Sequence, residues 1–509
     1  MSTARRVVVV GNGMAGARLV DELRRRHAAL EITVIGEEPH PAYNRVLLST
    51  VLGGGLGVDA VRLHPAGWHA KHDVRLRTGV CVTGVDRTRR AVTTADGDEH
   101  GYDTLVLATG SRSWTPPTEN LAAPDGTLAD GVVAFRTADD CERILRVAAP
   151  GARVAVLGGG LLGLEAARGL VRRGADVTVL HPVCHLMERQ LDGDAGRVLA
   201  GALRELGVTV RLNVLATRYR SALPRRGLEL DDGSFQPADL VVVAAGVRAQ
   251  TCLARGAGLA VGTGIVVDDQ LRSVTDPRVR AVGECAEYDG VVYGLVQPAW
   301  DQARVVADLL TGADPTARYA GSRPVTRLKA RDLDLAVMGE TFTDHDDRLA
   351  EVVRLEDAAQ GRYAKLVLRD ERVTGAIVLG CPDAAAAVTQ LFDSGAPAPA
   401  DRLGLLVGRA TGGAAVPLSD DSVVCRCNSV TKGRLSAAWL AGARTVPALT
   451  LATRAGTGCG SCASAVAGIC AGLAESEQAK DNEPTQDNEP VRHGEPVRPA
   501  ARADVKIVA

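Results

Sequence analysis

The first apolar run, RVVVVG, ends in a glycine-rich stretch (Gly11, Gly13, Gly16), passes into the amphipathic segment ARLVDELRRRH, and is followed by a second apolar run, EITVIG, that closes on Glu37-Glu38. Short apolar run, glycine turn, helical period and apolar run together predict a βαβ unit over residues 6–37. The three glycines suit distinct demands. Gly11 permits a tight turn, Gly13 lets the backbone approach a pyrophosphate, and Gly16 lets helix and strand pack closely. The helix N-terminus then faces the anion, and Glu37 stands where ribose hydroxyls are read.

The pattern recurs over 153–181, where RVAVLG leads through Gly158, Gly160 and Gly163 into LEAARGLVRRG and the strand ADVTVL. Two dinucleotides are therefore expected. At the end of this second unit His181 stands in place of an acidic ribose reader, which leaves NADH and NADPH both open. Two further runs complete the first site. YDTLVLATG delivers Thr109 and Gly110 to a turn, and VRAVGECAEYDG delivers Glu284, placed on the sugar or ribitol of a flavin with the following helix N-terminus facing the ring.

Residues 320–398 change to shorter alternating runs split by charged turns, as in a small α+β domain. Residues 399–421 are rich in Ala, Gly, Pro and Ser and read as a linker that would let a terminal domain swing. The polar, self-repeating stretch after Ala474 reads as a disordered spacer. The expected domains are 1–115 with 253–318, then 116–252, 319–398, 422–474 beyond the linker, and a tail over 475–509. A chain of 509 residues exceeds one core, and 46% hydrophobic with 24% charged residues is an ordinary globular composition. The net charge of −2 gives no basic excess for nucleic acid or an anionic membrane surface. No apolar run approaches the roughly 20 residues of a membrane span, and glycines and Arg18 interrupt the start as a signal peptide. The cytoplasm is the expected compartment.

Eleven cysteines divide into two sets. Cys425 and Cys427 form C-x-C, and Cys459 and Cys462 form C-x-x-C. Four thiolates in two close pairs suit tetrahedral zinc or an iron–sulfur cluster, and the spacing leaves both open. Cys470 falls two turns further along an apolar helix and reads as a packed thiol. Cys81, Cys141, Cys184, Cys252, Cys285 and Cys381 stand singly and read as core or surface, with Cys285 nearest the flavin. PAYNRVLLST carries no cysteine pair, which disfavours a disulfide reductase.

GNGMAG at 11–16, EEPHPAYNRVLLS at 37–49, LATGS at 107–111, GGGLLGLEAA at 158–167, GECA at 283–286, CRCNSVTKG at 425–433 and GTGCGSC at 456–462 occur in consistent order over about residues 5–474. Together they resemble the flavin-binding front portion of the assimilatory NAD(P)H nitrite reductase large subunit. The last part is similar to the bacterioferritin-associated ferredoxin module. The resemblance implies an α/β fold of two Rossmann-like domains of the pyridine nucleotide-disulfide oxidoreductase type, a small α+β domain and a small helical [2Fe-2S] domain. It implies FAD and NAD(P)H as cofactors and makes Cys425, Cys427, Cys459 and Cys462 the ligands of a [2Fe-2S] cluster. Arg45 becomes a flavin-side residue, while Thr50, where related reductases carry a lysine, receives no role. The sirohaem section of that large subunit has no counterpart here. The expected activity is therefore single-electron delivery to a separate nitrate or nitrite reductase catalytic subunit. The alternatives are a reductase of ferredoxin, rubredoxin or a stored-iron protein, and a zinc-containing redox sensor.

Overall fold

The computed structural model describes residues 5–481 apart from 27–28, 223, 331–332, 409–417, 427, 458–459 and 461. Cys427 and Cys459 thus lie outside the described residues, as does the tail beyond 481.

The first βαβ unit forms as β1 (Arg5–Val10), α1 (Met14–Arg25) and β2 (Leu30–Gly36). β1 lies at the centre of a five-stranded sheet, between 104–107 and β2, with 279–281 and 74–78 at the edges, all parallel. Val7–Val10 are buried because helices or loops cover both faces of a parallel sheet, which is why these strands read as unbroken apolar runs rather than alternating ones. The second unit builds a matching parallel sheet in the order 208–212, 176–181, 153–157, 240–243, 132–134. The chain crosses from one sheet to the other and back through a single antiparallel ribbon, Ser111–Ser113 against Val247–Ala249.

The third unit is a five-stranded antiparallel sheet over 325–379 covered by the helix Pro382–Ser394. Leu328, Leu335, Val337, Tyr363 and Ile377 from this sheet share one core with Leu164, Ala167 and Val198 of the second nucleotide domain.

Two expectations need correction. Residues 402–406 of the expected linker are helical: Asp401 caps the turn by accepting from the Gly404 amide at 2.8 Å, and Leu405 and Leu406 are buried against the small domain. Those leucines supply the apolar contact that a free tether lacks. The expected disorder also begins too early, because the last helix runs from Ala463 to Asp481.

The C-terminal module is a short hairpin, Val423–Cys425 with Val430–Thr431, followed by helices Lys432–Leu440, Val446–Thr453 and Ala463–Asp481. It packs on the first nucleotide domain. Ala299 and Trp300, from the helix Val296–Thr311, share a core with Cys425, Leu435, Trp439 and Cys462. This docking explains why α1 buries Arg18, Asp21 and Glu22, the polar side of an amphipathic helix.

Candidate functional site: a cavity shared by two nucleotide domains and a cysteine module

A cavity of about 1210 Å³ opens at the C-terminal ends of the β1 and β2 strands. Gly11, Gly13, Glu37, Arg45, Thr109, Gly110 and Glu284, all singled out from sequence, line it together. Its floor reflects steric necessity. Gly11 has φ +113°, and a Cβ there would sit 2.2 Å from the Ala108 carbonyl oxygen; one on Gly16 would sit 2.1 Å from the Gly11 carbonyl oxygen. A Cβ on Gly13 would meet nothing within 4 Å, so the α1 N-terminus faces open space. Both polar atoms of the buried Asn12 amide have no protein partner. Buried amides are ordinarily hydrogen-bonded, so the turn fits a bound polar ligand such as a diphosphate. The second turn repeats the design: a Cβ on Gly158 would lie 2.4 Å from the Ala244 oxygen, one on Gly163 2.1 Å from the Gly158 oxygen, and one on Gly160 in open space.

Glu284 does not stand alone in the cavity. Ser111 Oγ donates to its Oε2 at 2.6 Å, and Arg136 pairs with the same carboxylate. Arg45 pairs with Glu38 and lies over the Tyr43 ring, while Tyr43 donates to Glu38 at 2.6 Å. Thr109 Oγ1 donates to the Gln250 carbonyl at 2.7 Å, tying the turn to the crossover ribbon. The helix expected directly after GECA is displaced: Ala286–Tyr288 first forms a strand with Ile265–Val267, and the helix reaching the cavity starts at Val296. Cys285 is fully buried, donates to the Leu107 carbonyl at 3.3 Å, and has its thiol pushed up by burial. Cys81 and Cys252 line the cavity instead.

The structure places His181 beneath the second glycine turn rather than at its rim. It is 3% exposed, its Nδ1 accepts from the Gly159 amide at 3.1 Å, and its Nε2 lies 3.2 Å from Glu188. Accepting at Nδ1 fixes the proton on Nε2, toward the carboxylate. Burial lowers its pKa, the neutral ring being the form that fits.

In the C-terminal module, two of the four expected ligands, Cys425 and Cys462, are described and both are buried. A hydrogen bond from the Cys462 thiol pulls the Cys425 thiol down from its ordinary range, against the opposing effect of burial. A thiol whose surroundings favour the thiolate fits a metal ligand. Arg426, between the C-x-C cysteines, lines the cavity, pairs with Asp393 of the small domain and donates to the Arg323 carbonyl at 2.7 Å. Asn44 Nδ2 donates to the Thr457 carbonyl at 3.0 Å, and a Cβ on Gly460 would lie 3.6 Å from Leu47. Between Asn44 and Leu47, Arg45 and Val46 line the cavity. The cysteine-bearing loop and the cavity are therefore separated by one short segment of chain.

The sequence profile of the pyridine nucleotide-disulphide oxidoreductases matches residues 5–303. The chain belongs to that family. Residues 324–395 match the rubredoxin NAD+ reductase C-terminal domain, and residues 423–471 match the BFD-like [2Fe-2S] binding domain. The oxidoreductase is 36% identical to a nitrite reductase [NAD(P)H] of Bacillus subtilis (strain 168), over 90% of this chain and 56% of the relative. It is 34% identical to that organism's assimilatory nitrate reductase electron transfer subunit, over 94% and 61% of the respective chains. It thus spans less than two thirds of either relative's length. Among solved structures, the ferredoxin reductase for the CYP199A2 system of Rhodopseudomonas palustris matches at TM-score 0.68 and 27% identity, covering 77% of this chain and 95% of that one.

The oxidoreductase is accordingly an FAD-dependent NAD(P)H enzyme with a [2Fe-2S] domain. Among the described residues, no helix is long and apolar enough to cross a membrane. Three groups in the site escaped the sequence reading. Arg136 lies in a stretch with no motif, and Glu38 was overshadowed by Glu37. Glu165, 6% exposed and accepting from Ser49 Oγ at 2.9 Å, borders the cavity from the second domain. A glutamate inside the apolar run GLLGLEAA was the available signal for Glu165.

Proposed function

We propose that this chain carries electrons from NAD(P)H, in the cytoplasm, to a separate assimilatory nitrate or nitrite reductase. In this reading Gly11, Gly13, Gly16, Glu37, Arg45, Thr109, Gly110 and Glu284 hold FAD. Gly158, Gly160 and Gly163 hold the nicotinamide dinucleotide, with His181 fixing their turn from below. Cys425, Cys427, Cys459 and Cys462 hold the cluster. When bound, FAD supplies two-electron hydride chemistry and the cluster one-electron transfer.

The protein's own work is positional. The two glycine turns present backbone amides and helix N-termini to the diphosphates. Arg136 and Ser111 fix the Glu284 carboxylate, and Glu38 fixes the Arg45 guanidinium, so both enter the cavity in one orientation. Paired charges at the cavity wall need no reorganisation when a ligand enters.

The observation that carries the relay is Arg426: the residue between two cluster cysteines lines the flavin cavity. A cluster seated on that wall suits transfer from flavin to iron, and the lack of a redox cysteine pair in the 41–52 loop disfavours a thiol relay.

The test is anaerobic reduction of the holoenzyme with NADH or NADPH, followed by a purified molybdenum nitrate reductase subunit, a sirohaem nitrite reductase, a ferredoxin or a rubredoxin. Nitrate- or nitrite-dependent oxidation of the nicotinamide, lost in Cys462→Ser, is the expected result. Equal turnover by Cys462→Ser would overturn the relay, and turnover only with ferredoxin or rubredoxin would overturn the acceptor.

A further inference from the structure

Arg18, on α1 of the flavin domain, donates through Nη1 to Asn428 Oδ1 at 2.6 Å. Asn428 Nδ2 in turn lies 3.7 Å from Cys425 Sγ, 2.6 Å from the Arg454 carbonyl and 3.2 Å from Thr457 Oγ1. Arg18, Asn428 and Cys425 are 4%, 3% and 2% exposed, so water does not compete for these bonds.

The orientation of the amide follows from chemistry. A guanidinium has only donors, so it accepts no NH2 group and forces the amide oxygen toward itself. The NH2 group must then point to the sulfur and the module's backbone. Turned over, the amide would set NH2 against guanidinium and oxygen against thiolate, two repulsive contacts in a buried site. Arg18 is itself held by Glu22 at 2.5 Å and lies 4.9 Å from the centre of the Trp300 ring.

We infer that Arg18 is a positioning residue for the cluster: it orients Asn428 so that the amide donates to the Cys425 sulfur, and thereby ties the cluster's reduction potential to docking on the flavin domain. The inference rests on Cys425 being a cluster ligand. Hydrogen bonds to ligand sulfur stabilise the more negative, reduced cluster and so raise its potential. The cluster is then a better electron acceptor when seated against the flavin domain than when free of it.

The test is a potentiometric titration of the holoenzyme in which the cluster is followed by electron paramagnetic resonance and the flavin by absorbance. Asn428→Leu changes no charge and removes the donor. Its cluster should lose about tenfold in equilibrium electron affinity, about 59 mV for one electron, with the flavin potential unmoved. Arg18→Met should shift the cluster in the same direction, Arg18→Lys should keep most of the wild-type potential, and the double variant Arg18→Met/Asn428→Leu should shift no further than Asn428→Leu alone. Glu22 retains Arg26 at 2.6 Å, so Arg18→Met does not strand its carboxylate.

An unshifted cluster in Asn428→Leu, or additive shifts in the double variant, would overturn the inference, the latter because Arg18 would then act by charge alone. Where Asn428→Leu fails to load iron, Asn428→Ser tests the same bond with a smaller side chain. A wild-type cluster that NAD(P)H never reduces would instead count against the relay and leave these potentials still readable.

Discussion

Asp21 on α1 and Arg454 in the C-terminal module form an ion pair across 433 residues of sequence, with side chains 9% and 15% exposed. Burial draws Arg454 down to about 10, still charged at neutral pH. Removing Asp21 leaves the Arg454 guanidinium buried without its carboxylate, which costs about 3–5 kcal/mol in comparable sites. Asp21→Asn should therefore loosen the module, read as faster hydrogen exchange in the helix Lys432–Leu440 and slower electron passage to the cluster. Arg454→Met should be milder, because Asp21 keeps Arg25 at 3.7 Å, and the double variant should be no worse than Asp21→Asn.

Gly11 and Gly13 separate folding from binding. Gly11→Ala drives a Cβ into the Ala108 carbonyl and should prevent the first domain from folding. Gly13→Ala meets no protein atom and should leave the apoprotein's melting temperature unchanged. FAD affinity should nevertheless fall at least about tenfold, the equivalent of one lost hydrogen bond to an anion. Flavin fluorescence titration of the two apoproteins checks both.

His181 holds the second glycine turn through the Gly159 amide. His181→Ala should raise KM for NADH and NADPH by similar factors, about three- to tenfold, while kcat stays near wild type. A change in the NADH-to-NADPH ratio would count against this role.

Cysteine content should sort by position. Cys462→Ser should lose iron and acid-labile sulfide, whereas Cys470→Ser, half-buried against the module's helices, should keep both. Metal analysis and visible absorption distinguish them.

His64 links stability to acidity. It is stacked on Trp68 with ring centres 3.9 Å apart, and burial, with His69 and His72 adding to it, lowers its pKa from 6.5 to about 4. Asp21, 3.9 Å away, is already engaged by Arg454 and does not hold a proton on the ring. Between pH 6.5 and 4 the unfolded chain binds a proton that the folded chain refuses, so stability is full above 6.5 and falls as pH drops toward 4. Thermal melts over this range should show the decline, and His64→Phe, which preserves the stacking, should reduce it, leaving the shares of His69 and His181.

The two nucleotide units were legible because their pattern is local: strand, glycine turn and helix follow one another within about thirty residues, although the carbonyls that Gly11 and Gly158 must clear come from Ala108 and Ala244, far along the chain. The two close cysteine pairs stood out for the same reason, and Cys425 and Cys462, one from each, share a core. What could not be read was the seat of the module. ARLVDELRRRH has the period of a surface helix, and nothing nearby announces that Arg18 and Asp21 meet Asn428 and Arg454. Arg136 was invisible likewise, since its partner Glu284 lies 148 residues away. The helix at 402–406 was lost in a stretch whose composition suggested a tether, although its leucines carried the packing signal.

The crossover ribbon, Ser111–Ser113 with Val247–Ala249, makes the second nucleotide domain an insertion within the first. During synthesis the flavin sheet must wait for the strand Val279–Ala281, so the inserted domain leaves the ribosome whole before the fold around it can close. The helix Val296–Thr311, on which the cysteine module rests, emerges next, and the module itself more than a hundred residues later. Cofactor loading thereby acquires a built-in sequence: the nascent polypeptide can shelter its organic cofactor before any iron has a place to go.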